Sequence, residues 1–288
     1  MGCCMSGSRT DNNNGVDTIN PVTEAPDGTP IGQDGSKGGT IPYYGTPGGS
    51  MSGGGKASGG PYVGATAHSM TNYSPTKVSG DYISKMKSSN LDALSSQNES
   101  SGNPAKVHMD NNGYYAYGTY QLNSGTGSVN KFLQYEQVNN PDAYAKLMAA
   151  GGGTVSGQQS SEFQSAWASV TGSNSTFADD QEAFIKTTYY DKAVSSLEKS
   201  GVNVDNLSTG AKQIIWSTAV QYGAGTDVMT SALSNVDKSN LTSTQFINTV
   251  SDYKQSTVSS YFKSSTSATQ SSVAKRFASE RIGALSNN

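Results

Sequence analysis

The chain has 288 residues, a formal charge of −3 and an apolar fraction of 33%, too poor in apolar residues for uniform packing at that length. The slight acidity and the lack of any lysine or arginine run exclude the basic face that nucleic acid requires. No stretch approaches the ~18 apolar residues of a membrane span, and the N-terminus lacks the apolar segment of a secretory signal, so a substrate outside the cytoplasm implies delivery by another machine.

Residues 1–80 hold 18 of the 33 glycines and 7 of the 9 prolines. Such a segment cannot bury enough apolar surface to offset its ordering entropy, which predicts a disordered or extended docking arm at 1–80 and a globular domain at 81–288. Cys3 and Cys4 are the only cysteines. Met1-Gly2-Cys3-Cys4-Met5-Ser6 fits a myristoylation pattern, but that use needs a eukaryotic acyltransferase, and a flexible start with two incidental thiols is the favoured reading over a lipid anchor. Tyr43, Tyr44, Tyr62 and Tyr73 are read as solvated tyrosines in the arm.

The pattern turns helical near residue 81. A short helix over 90–98 ends at Glu99, and the polar loop Ser100-Ser-Gly-Asn-Pro104 leads on to Asp110. Segment 113–122 is aromatic and interrupted by Gly118, which predicts a short hairpin. Val129, Phe132 and Leu133, then Tyr144, Leu147 and Met148 behind Pro141, then Phe163 and Trp167 recur at helical steps. A long helix is expected from Asp179 to Lys199, stopped by Gly201. Ser208 caps a central buried helix that ends at Gly223 and Gly225, and helices near 242–262 and 269–285 follow. The expected fold class is α+β and mostly α-helical.

Cleavage of a glycosidic bond needs a carboxylic acid to protonate the leaving oxygen and, for inversion, a carboxylate that activates water from the other side. Glu99 and Asp110 are the natural pair, with the eleven intervening residues long enough to cross a cleft. The acid should be partly buried, with Tyr117 and Tyr120 supplying the cover. Gly118 permits close approach of backbone to a sugar, Gln121 offers an amide to an acetamido group or to water, and Tyr117 and Tyr120 offer stacking faces. Tyr190, Asp191 and Gln221 complete the candidate substrate-binding set, although a helix-surface or capping role is the commoner one for Asp191 and backbone hydrogen bonding an equal one for Gln221. Arg276 and Glu280, four apart on a helix, read as a structural ion pair. His108 reads as an exposed loop residue. With His68 the only other histidine, no histidine-based metal site is expected, and no cofactor is implied. Gly125-Thr126-Gly127 lacks the rest of a phosphate-loop signature.

Glu99-Ser100, Asp110, Tyr117-Gly-Thr-Tyr-Gln121, Phe184-Ile-Lys-Thr-Thr-Tyr-Tyr-Asp191 and Trp216-Ser-Thr-Ala-Val-Gln-Tyr-Gly223 together resemble the peptidoglycan hydrolases of phage virion proteins and of the C-terminal domains of type VI secretion spike proteins. The resemblance covers roughly residues 85–285. It implies a lysozyme-like, chitosanase-like fold, a general acid at Glu99 and a general base at Asp110. The loop departs from the family pattern at Asn111-Asn112-Gly113, where a Gly-Gly pair is usual, and the family's frequent histidines are tyrosines at Tyr189 and Tyr222. The leading function is therefore a muramidase acting on peptidoglycan glycan strands, carried on a phage virion or delivered to the bacterial periplasm and cell wall, with residues 1–80 docking to virion or secretion-apparatus proteins. Lytic transglycosylase action, chitosan cleavage and a non-catalytic structural virion or tail component are the alternatives.

Overall fold

The computed structural model describes residues 73–288, apart from residues 101, 111, 112, 224 and 264 and the side chains of residues 97–100. Upstream it describes four two-residue strands, β1 (Arg9–Thr10) paired antiparallel with β2 (Val16–Asp17), and β3 (Thr23–Glu24) with β4 (Pro30–Ile31). The expectations for Gly2, Cys3, Cys4, Tyr43, Tyr44 and Tyr62 lie outside the described residues.

Tyr73 is not the solvated tyrosine expected. Its ring meets Phe184 edge-on at 6.0 Å and its hydroxyl lies 3.3 Å from Thr188 Oγ1. Lys77 donates to the carbonyls of Val138 and Asn139, and the Val78 N–H donates to the Asn139 side chain. Packed chain thus begins by Tyr73, ahead of α1 (Gly80–Ser89), whose N-terminus Ser79 caps through the Tyr82 N–H.

After α2 (Ala93–Ser100) comes a three-stranded antiparallel sheet of β5 (Val107–Met109), β6 (Tyr115–Tyr117) and β7 (Leu122–Asn123). The expected hairpin is present as β6–β7, joined by a turn with Gly118 and Gln121 at positive φ. The extra strand, β5, arises because Val107, His108 and Met109 pair with Tyr117, Ala116 and Tyr115.

The remainder is helical: α3 (Ser128–Asn139), α4 (Pro141–Leu147), α5 (Val155–Gln158), α6 (Ser161–Ser173), α7 (Phe177–Ile185), α8 (Asp191–Lys199), α9 (Thr209–Tyr222), α10 (Val228–Ala232), α11 (Ser243–Ser256), α12 (Val258–Tyr261) and α13 (Ser267–Ser286). The single helix expected over 179–199 is divided by a wider π-helical turn at Lys186–Tyr190. Local signals act as anticipated elsewhere. Pro141 opens α4, the Ser208 side chain accepts from the Ala211 N–H to start α9, and Gly201 and Gly223 end their segments at positive φ.

From Gly210 to Tyr222 only Lys212 of α9 escapes burial, and α2, α8, α10, α11 and α13 pack around it. Gly210 allows the tightest approach, since a Cβ there would lie 1.9 Å from the Ala284 carbonyl oxygen of α13. Phe132, Phe163, Trp167, Phe177 and Phe184 form an aromatic centre behind the sheet, with ring centroids 5.0–6.2 Å apart in neighbouring pairs. A second cluster gathers Tyr222, Phe262 and Phe277. The whole is the mostly helical α+β arrangement expected.

Candidate active site

Glu99 stands in the last turn of α2, as expected, and its side chain lies outside the described residues. Position 99 follows Ser95 by four residues, one helical turn, and so falls on the same side of α2. Ser95 is fully buried, and α2 packs along α9 with the Gln213 side chain of α9 donating to the Asn90 carbonyl at the entry to α2.

Asp110 caps the turn between β5 and β6. Its N–H donates to the Tyr114 carbonyl, Oδ1 accepts the Tyr114 N–H at 2.8 Å, and Oδ2 accepts from Asn123 Nδ2 at 2.7 Å. It is 6% exposed. Asn123 is itself fixed: Oδ1 accepts the Gly125 and Thr126 N–H groups, and its own N–H donates to Ser128 Oγ at the start of α3. Gly125 lies so close to the Tyr114 ring that a Cβ would be 2.5 Å from it. The Gly-Thr-Gly segment thus covers the carboxylate side of the sheet and holds no phosphate-loop geometry. Nothing in the sequence singled out Asn123; the available signal was a polar residue within a strand, followed at once by turn-forming Ser, Gly and Thr.

The tyrosines do not take the expected places. Tyr117 is fully buried, its ring centroid 5.2 Å from Phe163 and 5.1 Å from Trp167, and its hydroxyl donates to the Gln158 carbonyl. Tyr120 is 1% exposed, packs on Trp216, and donates to Asp92 Oδ2 at 3.0 Å. Neither ring offers a face to a sugar, because strand alternation turns Tyr117 inward and the turn folds Tyr120 over α9. Tyr190 also packs on Trp216, at 5.4 Å, and is buried. Asp191 is engaged by Lys186 Nζ at 2.6 Å and the Tyr82 hydroxyl at 2.8 Å, tying α8 to α1 from the helix surface, and it makes no side-chain cap bond.

Gly118 adopts φ +76° and presses on Gln181, whose Oε1 accepts the Thr119 N–H and whose Nε2 donates to the Pro104 carbonyl. Trp167 Nε1 donates to the same carbonyl at 2.9 Å. Gln181 and Trp167 therefore anchor the loop that leads away from Glu99, and Gly118 serves their packing rather than a sugar. Gln121 is buried and turns back so that Nε2 donates to the Gly118 carbonyl. Gln221 is 2% exposed, and neither of its amide atoms has a hydrogen-bond partner among the described residues. An unmet buried amide costs about 1–3 kcal/mol.

Arg276 and Glu280 form the expected pair at 2.7 Å, and Lys254 of α11 joins from the other side at 3.1 Å, all three buried. Burial alone would push the Glu280 carboxyl up, but the Lys254 and Arg276 charges outweigh it and hold it at about 2. His108 is half-buried within β5 rather than exposed on a loop, and burial, with the Lys106 charge behind it, pushes its imidazole down to about 4. Among the described residues no three His, Cys, Asp or Glu side chains cluster as metal ligands would, and no helix is long and apolar enough to cross a membrane.

The small three-stranded sheet holds the Asp110 carboxylate and packs through β7 on α3. By its match over residues 91–281, the chain belongs to the type VI secretion system spike protein VgrG3-like, C-terminal family. It is 30% identical over 161 residues to the type VI secretion system spike protein VgrG3 of Vibrio cholerae serotype O1, and that match spans 54% of this chain and 15% of the spike protein. Among solved structures it is similar to the native chitosanase of Bacillus subtilis MY002 (16% identity, TM-score 0.49, 71% of this chain and 89% of that one). The Gynuella sunshinyii GH46 chitosanase solved with chitotetraose gives 14% identity and a TM-score of 0.49, over 73% and 90% of the two chains.

Proposed function

We propose that residues 81–288 form a lysozyme-like peptidoglycan hydrolase that cleaves the β-1,4 bond between N-acetylmuramic acid and N-acetylglucosamine, with Glu99 as general acid and Asp110 as general base. The observation that carries this reading is family membership over a span that contains both carboxyls. It is supported by the two N–H donors that aim the Asp110 carboxylate and by the amide of Gln221, which has no hydrogen-bond partner among the described residues, on the helix beside α2. In an inverting step water attacks the anomeric carbon, Asp110 takes its proton, the bond to the leaving sugar breaks, and Glu99 protonates the departing oxygen.

The chain upstream of Tyr73 acts as the docking arm in this reading, joining the enzyme to secretion-apparatus proteins that carry it to the periplasm of a target cell, while Tyr73 to Gly80 belong to the packed domain. The family match favours that route over a phage virion. The decisive experiment replaces Glu99 by Gln: the domain keeps its fold while wall clearing in a zymogram falls by about 10² or more. Equal clearing by both proteins, or none by the wild type, overturns the enzymatic reading in favour of a structural component.

One observation favours a second reading. Asp110 is nearly enclosed and held at both oxygens, as suits a structural clamp, leaving Glu99 to act alone as acid and base in lytic transglycosylation. Mass spectrometry of digested walls separates the two, since transglycosylation leaves 1,6-anhydro ends and hydrolysis leaves reducing ends.

A further inference from the structure

His108 is absent from the chemistry so far, yet the register of the sheet sets it beside Asp110. His108 pairs with Ala116, and Ala116 with Asn123, so the three form one cross-strand row on a single face of the sheet. The ladder continues one residue past β5, because the Asp110 N–H donates to the Tyr114 carbonyl. Asp110, two residues after His108, therefore lies on the same face. The 2.7 Å bond from Asn123 Nδ2 to Asp110 Oδ2 fixes that assignment independently.

Two residues of extended chain separate His108 from Asp110 by roughly 6–7 Å along the strand. That is the Cα spacing of same-face neighbours, which sets the imidazole and the carboxyl side by side along the strand. Asp110 Oδ1 and Oδ2 accept from Tyr114 and Asn123, which fixes the orientation of the carboxylate on this face. Ala116 stands between His108 and Asn123 in the central strand.

We propose that His108 is a positioning residue that shares the attacking water with Asp110. The inference rests on the reading of Asp110 as general base. The imidazole hydrogen-bonds the water and turns a lone pair toward the anomeric carbon. Asp110 alone takes the proton as the new carbon–oxygen bond forms, and Glu99 protonates the leaving oxygen. His108 exchanges no proton. Its low basicity suits this part, since a neutral ring both donates and accepts, whereas an imidazolium would pair with the carboxylate.

The full chain is tested with soluble glycan strands, comparing wild type, Asp110→Asn, His108→Phe and His108→Gln. His108→Phe keeps the bulk without the hydrogen bonds, and we expect kcat to fall about tenfold to a hundredfold with KM within about twofold. His108→Gln, which restores a neutral donor and acceptor, should recover most of the loss, with thermal midpoints of both variants close to wild type. Full kcat in His108→Phe alongside an inactive Asp110→Asn overturns the role of His108 and leaves the base in place. A lowered midpoint together with no recovery in His108→Gln reassigns His108 to structure. Full activity in Asp110→Asn, or an inactive wild type, overturns the base and this inference together.

Discussion

Asn123 donates its side-chain N–H to Asp110 across 2.7 Å, linking the last strand of the sheet to the turn that follows its first. The same side chain accepts the Gly125 and Thr126 N–H groups through Oδ1. Asn123→Asp keeps that acceptor and the shape but sets a second carboxylate against Asp110. Two facing carboxylates raise each other's affinity for protons, so the variant should lose about tenfold or more of wall-clearing activity at neutral pH and regain part of it under mild acid. A zymogram across pH checks this, and unchanged activity at pH 7 would remove Asn123 from the site.

The turn at Gly118 gives a second test. An alanine Cβ there would lie 2.2 Å from Gln181 Oε1 and 3.1 Å from the Trp167 ring, at a backbone φ of +76°. Left-handed backbone costs roughly 1–2 kcal/mol for a residue with a side chain, and displacing Gln181 loosens its bonds to Thr119 and Pro104. Gly118→Ala should lower unfolding stability by about 2–4 kcal/mol, measured by urea denaturation. Because Pro104 belongs to the loop after Glu99, activity of the folded fraction should fall as well.

These two positions show where sequence is informative and where it is not. Helices and their ends were legible because the signals are local: Pro141, Ser208, Gly201 and Gly223 act through their own backbone. The strand at Val107–Met109 was not, being three residues long and stabilised only by pairing with Tyr115–Tyr117. The tyrosines misled for a physical reason. A tyrosine is equally at home as a sugar platform or in a core that satisfies its hydroxyl, and only tertiary structure shows that Tyr117 and Tyr120 take the second course, bonding Gln158 and Asp92. Gln181 and Asn123 were illegible because their partners lie 77 and 13 residues away.

The buried charges on α11 and α13 predict an asymmetry between two substitutions. Lys254 and Arg276 flank Glu280, and Lys254 Nζ lies 4.3 Å from the Phe277 ring centroid. Glu280→Gln leaves two cations facing a neutral amide and should cost about 3–5 kcal/mol. Lys254→Met leaves the Arg276–Glu280 pair intact and fills the same apolar path, so it should cost far less. The wild-type contribution of Glu280 also has a defined sign. Its folded-state value of about 2 lies below the ordinary 4.5, so its stabilisation is present above pH 4.5 and is lost as pH falls toward 2. Urea midpoints of the two variants at pH 7, and of wild type between pH 5 and 2, check both statements.

Glu182 predicts the opposite slope. Burial, reinforced by the Asp92 and Asp179 charges and opposed by Lys87 and Lys186, pushes its carboxyl from 4.5 up to about 8. The folded state therefore holds this proton more tightly than the unfolded chain does. Stability from the group is fully present below pH 4.5 and drains away as pH rises toward 8, because the unfolded chain ionises there at no cost while the folded one resists. Glu182→Gln removes the titration and keeps the shape. Its thermal midpoint should match wild type near pH 4.5 and exceed it at pH 8, by about 2–4 °C for each kcal/mol recovered in a domain of this size. Parallel midpoint curves for the two proteins between pH 4.5 and 8 would show that Glu182 ionises normally in the fold, and that Asp92 and Asp179 do not act on it.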